Sequence, residues 1–361
     1  MTMQQHSRYV DLVAVQPRVR MEEYASERAY ADHHRALADR AADLVAQAGP
    51  DPDGATPAVL AVWPEMVGTF LVLQGRADAV RGATTTDQAL TRVALRMLPR
   101  LLATMASHRT LSTTRAFLTA AAPEAWGAHH RTFAAIARDR GWWVVAGSLL
   151  VPRNALGEAS AQFRALGGPE GAKVYNTAFT FDPSGRCVLS TRKVNLVPTQ
   201  EDVLDLSPGD PADLVVLDTE VGRLGTLICY DGFREPHTSG EPEWEACVPR
   251  LDRLGATVLA QPSANAWLWD APWAFNDESI GERQLRKEQW FTEGLFSSMA
   301  ALTSIRYAVN PQLVGDVLDN HFEAPSLILG RSASGEAEVL AQSDDPYGED
   351  VLHARVPLAA D

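Results

Sequence analysis

Three residues at the ends of apolar runs carry side chains that could act together. Cys229 ends "RLGTLIC", Glu65 follows "AVLAVWP", and Lys193 follows "RCVLSTR". A thiol, a carboxyl and an ammonium are a working set for acyl transfer. The thiolate is the nucleophile, and free cysteine titrates near pH ~8.5, so the thiol needs activation. A buried carboxylate can take its proton and later give it to a departing amine. Burial raises that carboxyl's proton affinity, and a nearby lysine opposes the rise. The ammonium stabilises first the thiolate and then the oxyanion of the tetrahedral intermediate, and the Tyr230 N–H is a second donor. None of the nine histidines lies in a catalytic pattern.

A cysteine in a buried strand is often packing material. Cys187, just after a hairpin turn, and Cys247, on an amphipathic stretch, are read in that way. Cys229 is set apart by Glu65 and Lys193 at comparable strand ends. In α/β sheets, loops converge at the carboxyl ends of strands, and sites form there.

The elements that must position these groups alternate along the chain. Strand patterns at 9–17, 57–65 and 141–152 are separated by helical stretches, of which 21–48 is the first. "KVYNTAFTF" and "RCVLSTR" flank "DPSG", a hairpin turn, and "LVVLDTEVGRLGTLICYDGF" reads as another hairpin. Helices are expected near 242–254 and 281–300. The pattern predicts an α/β sheet of mixed direction covered by helices. Without internal repeat or low-complexity linker, 1–361 reads as one domain. Residues 76–120 are helical and apolar, are interrupted by Pro99, and read as an insertion between two strand units. They pack over the sheet, close over a pocket as a lid, or form an oligomer surface.

The formal charge of −14 does not steer the chain toward phosphate backbones, so no nucleic-acid partner is expected. Three widely spaced cysteines are no disulfide framework, and CxxC and HExxH are absent. No metal and no cofactor are expected. The N-terminus lacks the features of a signal peptide, and no apolar run is long enough to span a membrane. The expected location is the cytoplasm, without membrane attachment.

The residues around the three groups match a family. "WPE", "RKVNLVP" and "LICYDGFREP" resemble, in order, the three motifs of the nitrilase superfamily, the carbon–nitrogen hydrolases. "VAVQP", "VVAGS", "GATVLAQPSAN" and "GRSASGEAEVLAQ" also look like segments of that family. The resemblance implies a four-layer α-β-β-α sandwich and a catalytic triad of Glu65, Lys193 and Cys229. It also implies a second glutamate, Glu201 in "KVNLVPTQE", which holds the lysine and the substrate. A homodimer or higher homo-oligomer is expected on the same ground. The loop "QPSANAWLWDAPWAF" offers Asn265 to orient a polar substrate group, and Trp267, Trp269 and Trp273 as apolar contact surface. Asn265, Trp267 and Tyr230, the last next to the nucleophile, are the three candidates for substrate binding.

Tyr230-Asp231 after the nucleophile resembles the amidase and carbamoylase branches, whereas nitrile-cleaving members have Trp-Glu there. The leading expectation is a hydrolase of a small amide, carbamoyl or related substrate. The alternatives are an acyltransferase or amide synthase using the same thioester, a nitrilase, and a non-catalytic scaffold.

Overall fold

The computed structural model describes residues 8–358, apart from 53, 202, 239, 240, 242, 278 and 280. The two ends of the 1–361 domain reading, and position 242 of the expected 242–254 helix, lie outside the described residues.

Two mixed sheets of six strands form the centre. The strands of the first are β1 (Tyr9–Gln16), β2 (Ala58–Trp63), β3 (Trp143–Pro152), β4 (Val174–Phe181) and β5 (Cys187–Arg192). The second contains β6 (Val216–Thr219), β7 (Gly222–Thr226), β8 (Val258–Ala260), β9 (Tyr307–Asn310), β10 (Leu327–Arg331) and β11 (Ala337–Gln342). The last strand, β12 (Asp350–Pro357), returns to the first sheet, antiparallel to β1. The orders are β12-β1-β2-β3-β4-β5 and β11-β10-β9-β8-β7-β6. Each sheet has two parallel pairs, followed by antiparallel partners.

Side-chain alternation along the strands makes the layers, because successive residues point to opposite faces. On β1, Val10, Leu12 and Ala14 pack with Val221, Leu224, Val258, Val309 and Ile328 between the two sheets. Val13 and Val15 face the other way, in a core with Leu37, Ala41, Phe133 and Ile136. These last four lie on α1 (Glu27–Ala48) and α5 (Thr113–Arg140), the outer layer on the first sheet. On the outer side of the second sheet, α6 (Cys247–Arg253) and α8 (Leu295–Ser298) pack Val248, Leu251 and Leu295 against Leu227, Leu259, Ala308 and Leu329. The result is the expected α-β-β-α sandwich.

Several boundaries differ from the sequence expectation. The helix expected at 21–48 splits into a 3-10 turn, Met21–Tyr24, and α1, which starts after Ser26 because its hydroxyl caps the Ala29 N–H at 3.1 Å. The helix expected at 281–300 divides into α7 (Arg286–Glu293) and α8 at Gly294, which lies against the Trp290 carbonyl. Residues 76–120 form α2 (Ala77–Val80), α3 (Thr86–Arg96), α4 (Leu98–His108) and, after a turn at 109–112, the first part of α5, so the expected end at 120 falls inside that helix. Pro99 sits in the first turn of α4, where its missing N–H costs nothing. Pro123 lies inside α5, whose long buried face outweighs one lost helical bond.

Candidate active site

The chain brings Glu65, Lys193, Cys229 and Glu201 to one place between the two sheets, and all four are buried. Each arrives by its own local device.

Glu65 lies just past β2. The turn after it places Met66 at φ 60° and is tied to β3 by Met66 N–H donating to Ser148 Oγ at 2.9 Å. β3 can pass this close only because residue 147 is glycine. A Cβ there would lie 2.0 Å from the Pro64 carbonyl oxygen, and φ is +66°. The glycine of "VVAGS" is thus a clearance for the turn that carries Glu65.

Lys193 follows β5, with its N–H on the Asn176 carbonyl at 2.9 Å. Its Nζ is 2.8 Å from Glu65 Oε1 and 2.6 Å from Glu201 Oε2. Glu201 is anchored in turn by the Val197 N–H at 3.0 Å. Asn176 on β4 bridges the two acids, its Nδ2 donating to Glu65 Oε1 and to Glu201 Oε1, both at 2.8 Å. No motif in the sequence marks Asn176. Its signal was a polar residue in the apolar run "KVYNTAFTF".

Cys229 stands at an elbow. The strand ends at Thr226, and Cys229 opens a 3-10 turn, Cys229–Gly232, at φ 47°. That left-handed conformation is uncommon for a residue with a Cβ and must be held by its surroundings. Cys229 N–H donates to the Pro262 carbonyl at 2.8 Å, and Gln261 Nε2 donates to the Cys229 carbonyl at 2.8 Å. Gly232 leaves the space that the Gln261 amide fills, since a Cβ there would lie 2.0 Å from Nε2. Asp231, also buried, accepts from the Asn195 N–H at 2.7 Å and the Val194 N–H at 3.2 Å. It thereby ties the nucleophile turn to the lysine loop, which explains the acid and the glycine after the thiol. Tyr230 N–H, in the first turn, has no helical carbonyl to reach.

The electrostatics follow from burial. Burial, with the Glu65 charge, pushes the Cys229 thiol up to about 12, against the opposing pull of Lys193. Burial and the Glu201 charge raise the Glu65 carboxyl, while Lys193 lowers it. Burial alone would strip the Lys193 proton, but Glu201 and Glu65 outweigh it and hold the ammonium firmly charged. The thiol therefore keeps its proton at rest, and Glu65, buried in the same cluster, is the carboxylate at hand. Ala264 lies against both groups. Its N–H donates to Glu65 Oε2 at 3.1 Å and its carbonyl lies 3.8 Å from Sγ.

The three candidates for substrate binding stand differently. The Tyr230 ring is buried, and its hydroxyl donates to Glu241 Oε2 at 2.9 Å and accepts from the His237 N–H. Asn265 is buried with its amide occupied: Nδ2 donates to the carbonyls of Trp267 and Glu323, and Oδ1 accepts from Arg286 Nε at 2.8 Å. The Trp267 ring packs on Trp273 at a 5.1 Å centroid distance. Trp273 also lines an open cleft of about 810 Å³ with Pro272, Asn276 and Arg283. The other cysteines lie in packing, Cys187 in the core of the first outer layer and Cys247 in that of the second. Among the described residues, no group of three His, Cys, Asp or Glu side chains is placed to hold a metal ion. Among them also, no helix is long and apolar enough to cross a membrane.

The sequence model of the carbon–nitrogen hydrolase family matches residues 21–235, a span that includes all four groups. A hydrolase of Schizosaccharomyces pombe is 42% identical over 66 residues, 16% of this chain and 20% of that protein's length. Among solved structures, a double mutant of the amidase from Nesterenkonia sp. AN1, in complex with acrylamide, superposes with a TM-score of 0.54 at 17% identity. The match covers 98% of this chain and 93% of that one. Nit3 of Saccharomyces cerevisiae, of branch 10 of the nitrilase superfamily, gives 0.53 at 18% identity, over 98% of this chain and 91% of that one. The solved structures share the sandwich, and the family match over residues 21–235, more than half of the chain, makes this protein a member of the carbon–nitrogen hydrolase family.

Proposed function

We propose that the protein is a thiol-dependent amidase acting on a small amide or carbamoyl compound. The observation that carries this reading is the buried contact of Lys193 Nζ with Glu65 Oε1, at 2.8 Å, beside the Cys229 thiol. As Sγ attacks the carbonyl carbon, Glu65 takes its proton, so a free thiolate never has to persist in the closed site. The Lys193 ammonium and the Tyr230 N–H receive the oxyanion. Collapse of the tetrahedral intermediate breaks the C–N bond, and Glu65 returns the proton to the leaving amine or ammonia. Water, deprotonated by Glu65, then attacks the acyl carbon held on the sulfur; collapse releases the carboxylic acid, or carbamic acid from a carbamoyl substrate, and Glu65 returns its proton to the departing Cys229 sulfur. Glu201 and Asn176 hold Lys193 and Glu65 in register throughout. In support, a mutant of the Nesterenkonia amidase shows covalent addition of the acetamide moiety of fluoroacetamide at its active-site cysteine. In this reading the enzyme works in the cytoplasm as a homodimer or larger homo-oligomer.

The test is turnover of an amide panel, followed by ammonia release and free acid, with and without hydroxylamine. Hydrolysis gives equal ammonia and acid, and hydroxylamine diverts part of the acid to hydroxamate. Intact mass should show an acyl group on Cys229. Transfer to an added amine with little acid would favour an amide synthase instead. Turnover of nitriles without turnover of amides would replace the amidase reading by a nitrilase.

A further inference from the structure

Arg286 opens α7 and is 2% exposed. Aromatic rings surround its guanidinium: Cζ is 4.1 Å from the ring centre of Trp273, 4.9 Å from Trp290, 5.0 Å from Trp267 and 5.6 Å from Phe233. Two neutral acceptors fix it, Asn265 Oδ1 on Nε at 2.8 Å and Gln289 Oε1 on Nη1. Among the described residues, Nη2 has no hydrogen-bond partner and no carboxylate lies within ion-pair distance of the guanidinium.

This cation is next to the reacting groups. Asn265, which holds it, follows Ala264, whose carbonyl lies 3.8 Å from the Cys229 sulfur and whose N–H holds Glu65. Phe233 and Trp290, two of the rings around it, pack in one cluster with Cys229 and Tyr230. A buried charge without a counter-ion is costly. Ring faces offset part of that cost and leave the charge itself unneutralised. With Nε and one Nη1 proton given to neutral acceptors, the two Nη2 protons and the second Nη1 proton remain for an anion, at the end of the guanidinium that a carboxylate can meet.

We propose that Arg286 binds a carboxylate of the substrate, so that the substrate is a small amide or carbamoyl compound that also bears a carboxylate. The inference rests on the amidase reading and names its substrate class. Trp267 and Trp273 contact the carbon skeleton, and Asn265 acts as a positioning residue for Arg286. The carboxylate sits either on the acyl side, as in a monoamide of a dicarboxylic acid, or on the amine side, as in an N-carbamoyl amino acid.

The test reads binding apart from turnover. Cys229→Ala protein is titrated by calorimetry with succinamate and glutaramate, with N-carbamoylglycine, and with the uncharged butyramide and valeramide. The carboxylated ligands should bind about 100-fold more tightly than the uncharged amides of the same length. Whether the monoamides or N-carbamoylglycine bind better identifies the side that carries the acid. Adding Arg286→Gln should shrink the charged-to-neutral ratio to a few-fold. If circular dichroism shows that this variant does not fold, Arg286→Lys takes its place, and loss of the guanidinium fork must still lower the ratio. Equal binding of charged and uncharged ligands, or a preference that survives the Arg286 substitutions, overturns the proposal. A failure of the amidase reading shows separately, as absence of ammonia and acid from every amide given to protein with Cys229 intact.

Discussion

Lys193 and Arg286 are both sealed cations near the same thiol, yet their surroundings differ. Lys193 meets two carboxylates, Glu65 and Glu201, which a shared amide, Asn176, holds in place. Arg286 meets four aromatic rings and two neutral acceptors. In low dielectric, the first arrangement is complete in the free protein and serves to fix proton positions. The second is complete only when an anion arrives. The difference teaches that burial does not set the state of a charge here: two cations equally shut from solvent are left paired or unpaired by the segments packed around them.

Breaking the first arrangement at the proposed nucleophile should have the largest effect. Cys229→Ala is expected to lower kcat/KM by at least about 10⁴-fold, as when a nucleophile is removed elsewhere. Urea denaturation should find its stability nearly unchanged, because alanine fills most of the same space. If activity survives, the thiol has no covalent role.

Stability should then separate the two cations. Lys193→Met leaves Glu65 and Glu201 facing each other without a counter-charge, and should cost about 3–5 kcal/mol by urea denaturation. Arg286→Met removes an unpaired charge along with its ring contacts, so its cost should be clearly smaller. The reverse order would mean that the aromatic cage, and not the ion pairs, holds the site together.

Asn176→Ala is a milder cut. Two buried acids each lose a donor, at about 1–3 kcal/mol for a buried group left unsatisfied. The kcat should fall with little change in KM, because substrate contacts remain.

The smallest expected effect is a pH shift. Glu65 must be ionised to accept the thiol proton, so activity rises as pH rises through its pKa. Burial and the Glu201 charge lift that pKa, so the acid limb of kcat/KM should lie above the ordinary glutamate range near ~4.3. Glu201→Gln removes a like charge and frees Lys193 to act on Glu65 alone, so the limb should move to lower pH. A limb that stays in place would show that Glu65 does not govern it.

Much of this was legible in the chain. Strand ends at Glu65, Lys193 and Cys229 could be read because apolar runs stop abruptly at polar residues of useful chemistry. Alternation along β1 already divides Val10, Leu12 and Ala14 from Val13 and Val15. Helix ends were less legible. The start of α1 depends on one hydroxyl of Ser26, and the break between α7 and α8 depends on where Gly294 meets Trp290.

The site's supporting groups were hidden for a physical reason. Asn176 and Glu201 are 25 residues apart, and Asn176 and Glu65 are 111 apart, so no local pattern links them. Arg286 stands in the polar stretch "GERQLRKEQW", where it looks like any solvated arginine. Asn265 reads from sequence as a group that could face substrate, and packing gives its amide to Trp267, Glu323 and Arg286. The order of residues fixed which functional groups were available and which strand each would end. Packing of one sheet on the other decided which charges are neutralised and which are left waiting. Electrostatic pairing in a dry interior depends on distances of a few ångströms between segments far apart in the chain, and a linear sequence does not state those distances.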